Sequence, residues 1–356
     1  MGNERMGCKE EFQEIITRNL KKHISLVKQE NAVYEDSELF LVWSWAGINQ
    51  ISIQEAAVEM HDCNFRVPSG DTILHHLSKQ PYQVLEQGFD ETLIELMRKA
   101  RKHRLFTHPV VVAIDFTDIE WYGEDLPYIV HSQQKNGTNR FIRFASLGIV
   151  EDGKRFIVKI LPVTPLSSKE NIVTRLIQYA QQLVDIRVIL LDRGFYTGNV
   201  IQTIEDQEEQ FIIPVVRQGD KVKQMMKTTV KHGPHQYTMT DGTTYRFVTV
   251  ASDDSLLPYA TNITDAEPAV IHELYTARFG IETQYRVKNR FLGRTCSKKY
   301  SVRYGFFVLA VCLYNIWILL NIAERGRKGL DLGKIPIRVD RLKHIYRLTV
   351  YPRAPR

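Results

Sequence analysis

The sequence predicts an α/β fold: a mixed five-stranded sheet flanked by helices, preceded by a helical N-terminal domain and interrupted by a β-rich insertion. Three observations support this class. Residues 1–105 carry apolar side chains at helical spacing, short continuous apolar runs begin at residue 110, and residues 216–262 break into polar, strand-like pieces. The 356 residues, 44% of them apolar, suffice for a large core without disulfide bonds.

The N-terminal region contains two helices in an order typical of a helix-turn-helix. A helix over residues 53–60 and a connection over residues 62–68 precede a second helix that begins at Ser69 or Asp71, both favourable N-cap residues. The polar side chains that would face DNA are Thr72, His75, His76 and Lys79. An ordinary helical hairpin fits the same pattern, so residues 1–105 are a predicted DNA-binding domain whose contact with bases stays open.

Five apolar runs predict the strands of the core, over residues 110–116, 141–150, 156–163, 186–192 and 210–215. Asp152-Gly153 predicts a hairpin between the second and third of these strands. Helices are predicted over residues 168–184 and 197–208. This order indicates an antiparallel meander followed by right-handed crossovers.

Two helices over residues 265–290 and 302–325 follow the insertion, and a basic tail covers residues 326–356. Within the second helix, residues 305–323 approach the roughly 20 apolar residues of a membrane span. The polar members of that segment are Tyr314, Asn315 and Asn321. We therefore expect a helix buried in a protein core and no contact with a membrane.

The balance of 47 Lys and Arg against 41 Asp and Glu gives a net charge of +6. The basic residues concentrate between positions 278 and 303, where Glu282 alone opposes Arg278, Arg286, Lys288, Arg290, Arg294, Lys298, Lys299 and Arg303. Such a block attracts polyanions, although a solvated charged face gives the same pattern.

The four cysteines are Cys8, Cys63, Cys296 and Cys312, and none forms a Cys-x-x-Cys pair. A disulfide framework and a zinc ribbon are therefore not indicated, and His61 with Cys63 lacks a second ligand pair nearby. The first twelve residues are charged and lack an apolar signal core. A reducing cytoplasm is the expected location.

Three carboxylates form the candidate active site. Asp115 and Asp192 each end an apolar run of β type, and Glu282 follows on a later helix. An acid beside a buried strand needs a partner, and oxygen ligands suit Mg²⁺ or Mn²⁺. Two such ions about 3.5–4 Å apart promote in-line displacement at phosphorus. The pattern therefore favours phosphodiester chemistry.

The helix that carries Glu282 strengthens this interpretation. At about 100° per residue, Tyr275, Arg278, Glu282 and Arg286 share one stripe beside the apolar residues 277 and 281.

Each aspartate also has a simpler interpretation. Asp192 could only cap the turn that follows it, and Asp115 could be a strand-end residue while Asp118 or Glu120 does the work. In an extended strand, however, Asp118 and Glu120 lie on the face opposite Asp115.

Three motifs resemble the acidic motifs of the DDE transposases of insertion sequences: AIDFTD at 113–118, LLDRGFY at 190–196 and YTARFGIE at 275–282. The resemblance extends from residue 110 to 323 and includes YNIW at 314–317. It is strongest to the group with a Tyr-x2-Arg-x3-Glu-x6-Lys signature.

This resemblance implies an RNase H-like catalytic core over residues 106–215 and 263–325. It also implies cut-and-paste transposition, in which hydrolysis frees a 3′-hydroxyl that attacks target DNA. In this group the 3′-hydroxyl often first attacks the opposite strand and forms a hairpin. Asp115, Asp192 and Glu282 would be the metal ligands for two Mg²⁺ or Mn²⁺ ions, and Tyr275 and Arg278 would contact phosphates. The expected partners are double-stranded DNA and a second copy of the chain, in the cytoplasm of a prokaryotic cell.

One position departs from the signature, because residue 289, where the lysine belongs, is Asn289. On a continuous helix, Lys288 would project about 120° from Glu282, whereas Arg286 and Arg290 would project within about 40° and 80° of it. All three basic residues are candidate DNA contacts, and we predict that Arg286, assisted by Arg290, replaces the signature lysine.

The insertion offers no tryptophan that could stack on a flipped base. Tyr245 and Phe247 are candidates, although aromatic residues on strands more often pack. Two other functions remain compatible with the sequence. One is a catalytically inactive, transposase-derived DNA-binding protein, and the other is an RNase H-like nuclease or resolvase without strand transfer.

Overall fold

A computed structural model of the protein describes residues 16–26, 33–252 and 255–350. The chain divides into two compact units. The first contains the described residues up to Leu105 together with those from Gln284 onward, and the second is formed by Phe106–Thr283. The predicted core bounds differ from this division, because residues 284–325 belong with the N-terminal helices.

Residues 16–23 are helical, and from residue 33 onward the described α-helices, in chain order, are α1 (Asp36–Asn49), α2 (Ile53–Asp62), α3 (Gly70–Lys79), α4 (Tyr82–Lys102), α5 (Lys169–Gln181), α6 (Gly198–Glu205), α7 (Asp220–His232), α8 (Pro268–Thr276), α9 (Phe279–Lys288), α10 (Tyr300–Lys328) and α11 (Val339–Val350). The strands are β1 (Val110–Glu120), β2 (Val130–Lys135), β3 (Thr138–Ile149), β4 (Ile157–Val163), β5 (Ile186–Leu191), β6 (Phe211–Pro214), β7 (His235–Thr238), β8 (Thr244–Ser252) and β9 (Ser255–Thr261).

Helix α10 forms the core of the first unit. It is long and apolar enough to cross a membrane, but 78% of its most apolar window is buried within the protein, where it packs on α1, α3 and α4. Its polar residues have local partners: the Asn321 side chain accepts from Ile337 N–H at 2.9 Å, and Trp317 Nε1 donates to the Ile337 carbonyl at 2.7 Å. These bonds hold the segment before α11 against α10.

Helices α2 and α3 form where the sequence predicted them. The Ser52 hydroxyl accepts from Glu55 N–H at 3.1 Å, and the Ser69 hydroxyl accepts from Thr72 N–H at 3.3 Å, so each helix has a side-chain N-cap. Contact with DNA through the polar side of α3 stays a prediction.

The second unit is built on one mixed sheet, which confirms the predicted α/β class, although the described sheet has nine strands where five were predicted. The strand order is β2-β3-β1-β5-β6-β9-β8-β7, and β4 pairs with β3. The five predicted strands correspond to β1, β3, β4, β5 and β6. Strand β1 is antiparallel to β3 and parallel to β5, and β5 is parallel to β6, as an antiparallel meander followed by crossovers requires.

The insertion differs from the prediction in two respects. Its strands extend the same sheet, because β9 pairs antiparallel with β6. Its first part is not strand-like but forms α7, which buries Val222, Met226 and Thr229 at helical spacing. The predicted Asp-Gly hairpin is present between β7 and β8, where Gly242 has φ 91° and the Asp241 side chain accepts from Thr243 N–H at 3.0 Å.

Close packing around Gly47 of α1 generates a stability prediction. A Cβ atom at this position would lie 2.9 Å from the Phe291 carbonyl oxygen and 3.0 Å from a Leu313 methyl group, so Gly47→Ala should lower the free energy of unfolding by about 1–3 kcal/mol. Gly326→Ala on α10 is the control, because a Cβ there meets nothing within 4 Å. The control should gain about 0.5–1 kcal/mol from helix propensity. Urea unfolding of the full chain, followed by tryptophan fluorescence, measures both changes. Equal effects would contradict the packing argument.

Candidate active site

Asp115 and Asp192 lie side by side because of the register between two parallel strands. Ile114 of β1 pairs with Leu191 of β5, and each aspartate is the next residue in its chain. Neighbouring strands are about 4.8 Å apart, so the two carboxylates occupy adjacent positions at the carboxyl ends of the strands. Asp115 still belongs to β1, whereas Asp192 begins the turn after β5.

The Asp192 side chain caps the turn that follows it. Its Oδ1 accepts from Gly194 N–H, and the turn continues as a short 3₁₀ helix over Arg193–Phe195. Phe195 stacks on Phe116, with ring centroids 4.7 Å apart. The capping role considered from the sequence is therefore real, and it fixes the Asp192 carboxylate beside β1.

The predicted helix over residues 265–290 is broken into α8 and α9 at Ala277 and Arg278. Across the break, Arg278 N–H donates to the Tyr275 carbonyl at 2.9 Å and Ile281 N–H to the Arg278 carbonyl at 2.9 Å, both with the shorter i to i−3 spacing. A Cβ atom on Gly280 would lie 2.8 Å from the Val150 carbonyl oxygen, so the chain approaches β3 closely here. The continuous stripe expected on one helix is therefore not formed.

Arg278 nevertheless brings the predicted side chains together. Its Nη2 donates to Glu282 Oε1 at 2.7 Å, and its Nη1 lies 3.4 Å from Asp115 Oδ2. The guanidinium also lies 5.8 Å from the Tyr275 ring centroid and 5.5 Å from that of Phe279. Only 11% of the Arg278 side chain is exposed. One arginine thus joins Tyr275, Asp115 and Glu282.

The three carboxylates influence one another electrostatically. The pKa of Asp115 is raised to about 6: burial is the largest cause and the charges of Asp192 and Glu282 add to it, while Arg278 and the Phe116 N–H act in the opposite direction. Burial also raises the pKa of Tyr275 to about 12, against the effect of Arg278. The pKa of Arg278 is raised despite its burial, because Tyr275, Asp115 and Glu282 favour the guanidinium cation.

A divalent cation fits this site chemically but not in the conformation observed. Three carboxylates are suitable ligands for Mg²⁺ or Mn²⁺. However, in residues 16–26, 33–252 and 255–350, no three His, Cys, Asp or Glu side chains lie close enough together to hold a metal ion. The Arg278 guanidinium lies between Asp115 and Glu282 and already neutralises part of their charge. The metal roles of Asp115, Asp192 and Glu282 stay predictions.

A cleft of about 500 Å³ opens beside these groups and is lined by Asp192, Arg193, Gly194, Pro214, Val216, Tyr275 and Arg278. Sequence reasoning did not identify Arg193, an exposed residue on the wall of this cleft. Its position directly after Asp192 was the available signal, since a residue next to a strand-end acid must lie near the same edge of the sheet. A second cavity of about 220 Å³ also borders Arg193 and Tyr275.

The three basic candidates of the signature region lie in different environments. Arg286 is exposed on α9, and Arg290 forms an ion pair with Asp340. Lys288 is only 1% exposed, and its Nζ lies 3.9 Å from the Phe307 ring centroid. Burial lowers the pKa of Lys288 to about 7. This burial does not favour the predicted DNA contact by Lys288, whereas the exposure of Arg286 is compatible with one.

The alternative residues considered from the sequence lie elsewhere. Asp118 forms an ion pair with Arg143, whose Nε donates to Asp118 Oδ1 at 2.7 Å. Tyr245 and Phe247 are 3% and 0% exposed, and the Tyr245 hydroxyl is 2.5 Å from that of Tyr196. The two aromatic side chains therefore pack against neighbouring rings, among them Tyr196 and Tyr237.

Comparison with known proteins links this geometry to a family. The family model for the transposase DDE domain matches residues 107–316, more than half of the chain. A cryo-electron microscopy structure of a piggyBac transposase synaptic complex with hairpin DNA is similar, with a TM-score of 0.59 and 12% sequence identity. The similarity covers 98% of this chain and 80% of that one. At this identity it shows a shared fold alone. No curated protein matches the sequence.

The burial of Lys288 predicts an effect of pH on stability. Its pKa is about 7 in the folded chain and near 10.4 when unfolded, so the unfolded state binds more protons between these values. The cost of burying the lysine is therefore complete below about pH 7 and declines as the pH rises toward 10. Lys288→Met should raise the free energy of unfolding by roughly 2–4 kcal/mol at pH 7, and this gain should shrink at higher pH.

Chemical unfolding of the full chain at several pH values measures this gain. Lys334→Met is the control, because Lys334 is exposed and the substitution should change stability by less than about 0.5 kcal/mol. A gain that does not vary with pH would contradict a titrating Lys288.

Proposed function

The chain belongs to the transposase DDE domain family, and we propose that it cleaves DNA at the ends of a mobile element and joins the freed 3′-hydroxyl to target DNA. The observation that carries this proposal is the Ile114–Leu191 register, which sets Asp115 beside Asp192. Arg278 adds Glu282 to the same group of charges. We propose that this sheet is the RNase H-like core expected from the resemblance.

Asp115, Asp192 and Glu282 would hold the divalent cations in the reacting state. Mg²⁺ or Mn²⁺, as two ions, would supply charge stabilisation and activation of the attacking oxygen when bound. The protein's own contribution is to hold the carboxylates in place. Asp192 is held by its bond to the Gly194 N–H and Asp115 by its position within β1.

The cleft beside the carboxylates suits the sugar-phosphate backbone. It presents the Arg193 and Arg278 side chains and the Tyr275 ring on its walls. Arginine matches phosphate because its planar guanidinium donates two parallel hydrogen bonds. In this proposal Arg193 and Arg278 orient the scissile strand, and the Tyr275 ring packs beside the Arg278 guanidinium.

Cut-and-paste transposition in a prokaryotic cytoplasm, with a homodimer holding two DNA ends, completes the proposal. A hairpin intermediate would require a residue other than Tyr245 or Phe247 to stack on the flipped base, because both side chains are buried. A nuclease without strand transfer would cleave independently of end sequence and would form no joined product.

An end-cleavage assay tests the proposed chemistry. Asp192→Asn should lower Mg²⁺-dependent nicking of duplexes that carry the element's ends by at least about 100-fold, because it removes the charge while an amide oxygen can still accept from Gly194 N–H. Asp241→Asn is a matched control, since Asp241 also accepts a backbone N–H two residues later, at 3.0 Å from Thr243, but lies in the β7–β8 turn. The control should keep its activity. If the unsubstituted chain and Asp192→Asn were equally inactive on correct ends, an inactive DNA-binding protein would be the better conclusion.

The replacement for the signature lysine can be tested by salt dependence. The plot of log K for DNA binding against log salt has a negative slope. Arg286→Ala should reduce the magnitude of this slope by about 1, because one exposed phosphate contact is lost. Lys288→Met should leave the slope unchanged, since the side chain is buried. Fluorescence anisotropy with a labelled duplex at several salt concentrations gives both slopes. The opposite result, a lower slope for Lys288→Met alone, would return the phosphate contact to Lys288.

A further inference from the structure

The Arg278 guanidinium lies between the carboxylates of Asp115 and Glu282 and offsets part of their negative charge. It bonds to Glu282 at 2.7 Å and approaches Asp115 at 3.4 Å, and its side chain is 11% exposed. Asp115, Asp192 and Glu282 together carry three negative charges when ionised, and this one arginine bridges two of the carboxylates. In the described part of the second unit, Arg278 therefore performs the charge-balancing role that a divalent cation would have.

The same guanidinium also faces the cleft beside Asp192. Arg278 forms part of the cleft wall together with Arg193 and Tyr275. Its Nε is buried and donates to no acceptor among the residues that the structure describes. A buried donor without an acceptor is destabilising. If the guanidinium turns toward the cleft, a phosphate oxygen there would supply the missing acceptor.

These two environments compete for one side chain. A guanidinium bridging Asp115 and Glu282 occupies the space between two predicted ligands and repels an arriving cation. A guanidinium bonded to a phosphate in the cleft leaves both carboxylates available and uncompensated. The break between α8 and α9 places Arg278 in a turn and not in a helix interior, so its neighbours on one helix do not fix its direction.

We propose that Arg278 couples DNA binding to cation binding: its guanidinium holds Asp115 and Glu282 until a DNA phosphate in the cleft accepts it, and only then do these carboxylates bind divalent cations tightly. This inference rests on the proposed function, because it assumes that the three carboxylates are the metal ligands. It assigns Arg278 as a positioning residue that sets the order of assembly.

The coupling is reciprocal by thermodynamic necessity. If DNA strengthens cation binding by a given factor, cations strengthen DNA binding by the same factor. Coupling between sites is commonly 5–150-fold, and we expect a value of about 10-fold or more. The chain alone would then bind cations weakly, and a cation would be retained only where DNA already lies in the cleft.

Binding of Mn²⁺ tests the coupling without any reaction. The full chain is titrated with Mn²⁺, and the free ion is measured by electron paramagnetic resonance, with and without a duplex that carries the element's end. DNA should tighten Mn²⁺ binding by the unsubstituted chain at least about 10-fold. Arg278→Gln without DNA should already bind Mn²⁺ as tightly as the unsubstituted chain does with DNA, and DNA should change its affinity less than about 2-fold.

Arg143→Gln is the matched control. Arg143 is also a partly buried arginine paired with an aspartate of β1, with Nε 2.7 Å from Asp118 Oδ1. This variant should behave like the unsubstituted chain. Equal Mn²⁺ affinities of the unsubstituted chain and Arg278→Gln in the absence of DNA would overturn the proposal, as would an equal effect of DNA on both.

Two further outcomes keep the test decisive. If Arg278→Gln does not fold, as judged by circular dichroism, the unsubstituted chain decides alone, because an unchanged Mn²⁺ affinity on adding DNA overturns the coupling. Cleavage that depends on Asp192 but shows no effect of DNA on Mn²⁺ affinity would leave the proposed function standing and remove the coupling. DNA-dependent Mn²⁺ binding without any cleavage would support the coupling and contradict the proposed DNA cleavage.

Discussion

The parallel pairing of β1 with β5 is the constraint on which the candidate site depends. Because Ile114 pairs with Leu191, the residue that follows each is an aspartate at the same edge of the sheet. A slip of one residue in this register would turn Asp115 away to the opposite face, toward the side of Asp118 and its partner Arg143. The apolar residues that precede both aspartates are fully buried, so the core that stabilises the sheet also specifies the register. The packing of apolar side chains thus determines where the two aspartate carboxylates lie.

The protein buries basic side chains in two different ways. Arg278 is buried beside carboxylates, and the surrounding negative charge raises its pKa above the usual range. Lys288 is buried against the Phe307 ring, and burial lowers its pKa to about 7. The two residues are ten positions apart in a block whose charged residues are all basic except Glu282. Only the first lies in a cleft with room for a phosphate, so a run of positive charge in a sequence does not identify its members as ligands for nucleic acid.

Much of the second unit could be predicted because its core strands are short apolar runs. The Asp-Gly turns at 152–153 and 241–242, the two strand-end aspartates and the capped helices α2 and α3 all depend on local chemistry, which a sequence displays directly. The failures required tertiary information. Helix α7 was missed because its buried Val222, Met226 and Thr229 stand among polar residues. The break at Ala277 and Arg278 lies beside the close approach of Gly280 to the Val150 carbonyl, and the burial of Lys288 depends on where α10 packs. A helical wheel assumes a continuous helix, so it shows neither the break between α8 and α9 nor the packing that buries Lys288.

The insertion also determines which strand forms the edge of the sheet on the β6 side. Strand β6 would be an open edge without β9, because its other neighbour is β5, and the unpaired segment would contain the buried residues Phe211, Ile212 and Ile213. An exposed apolar edge recruits strands from other molecules. With the insertion in place, the sheet ends instead at β7, a strand of four residues from His235 to Thr238. Residues 216–262 therefore cover this edge of the second unit, and a shortened chain that lacks them would expose the edge to pairing with other molecules.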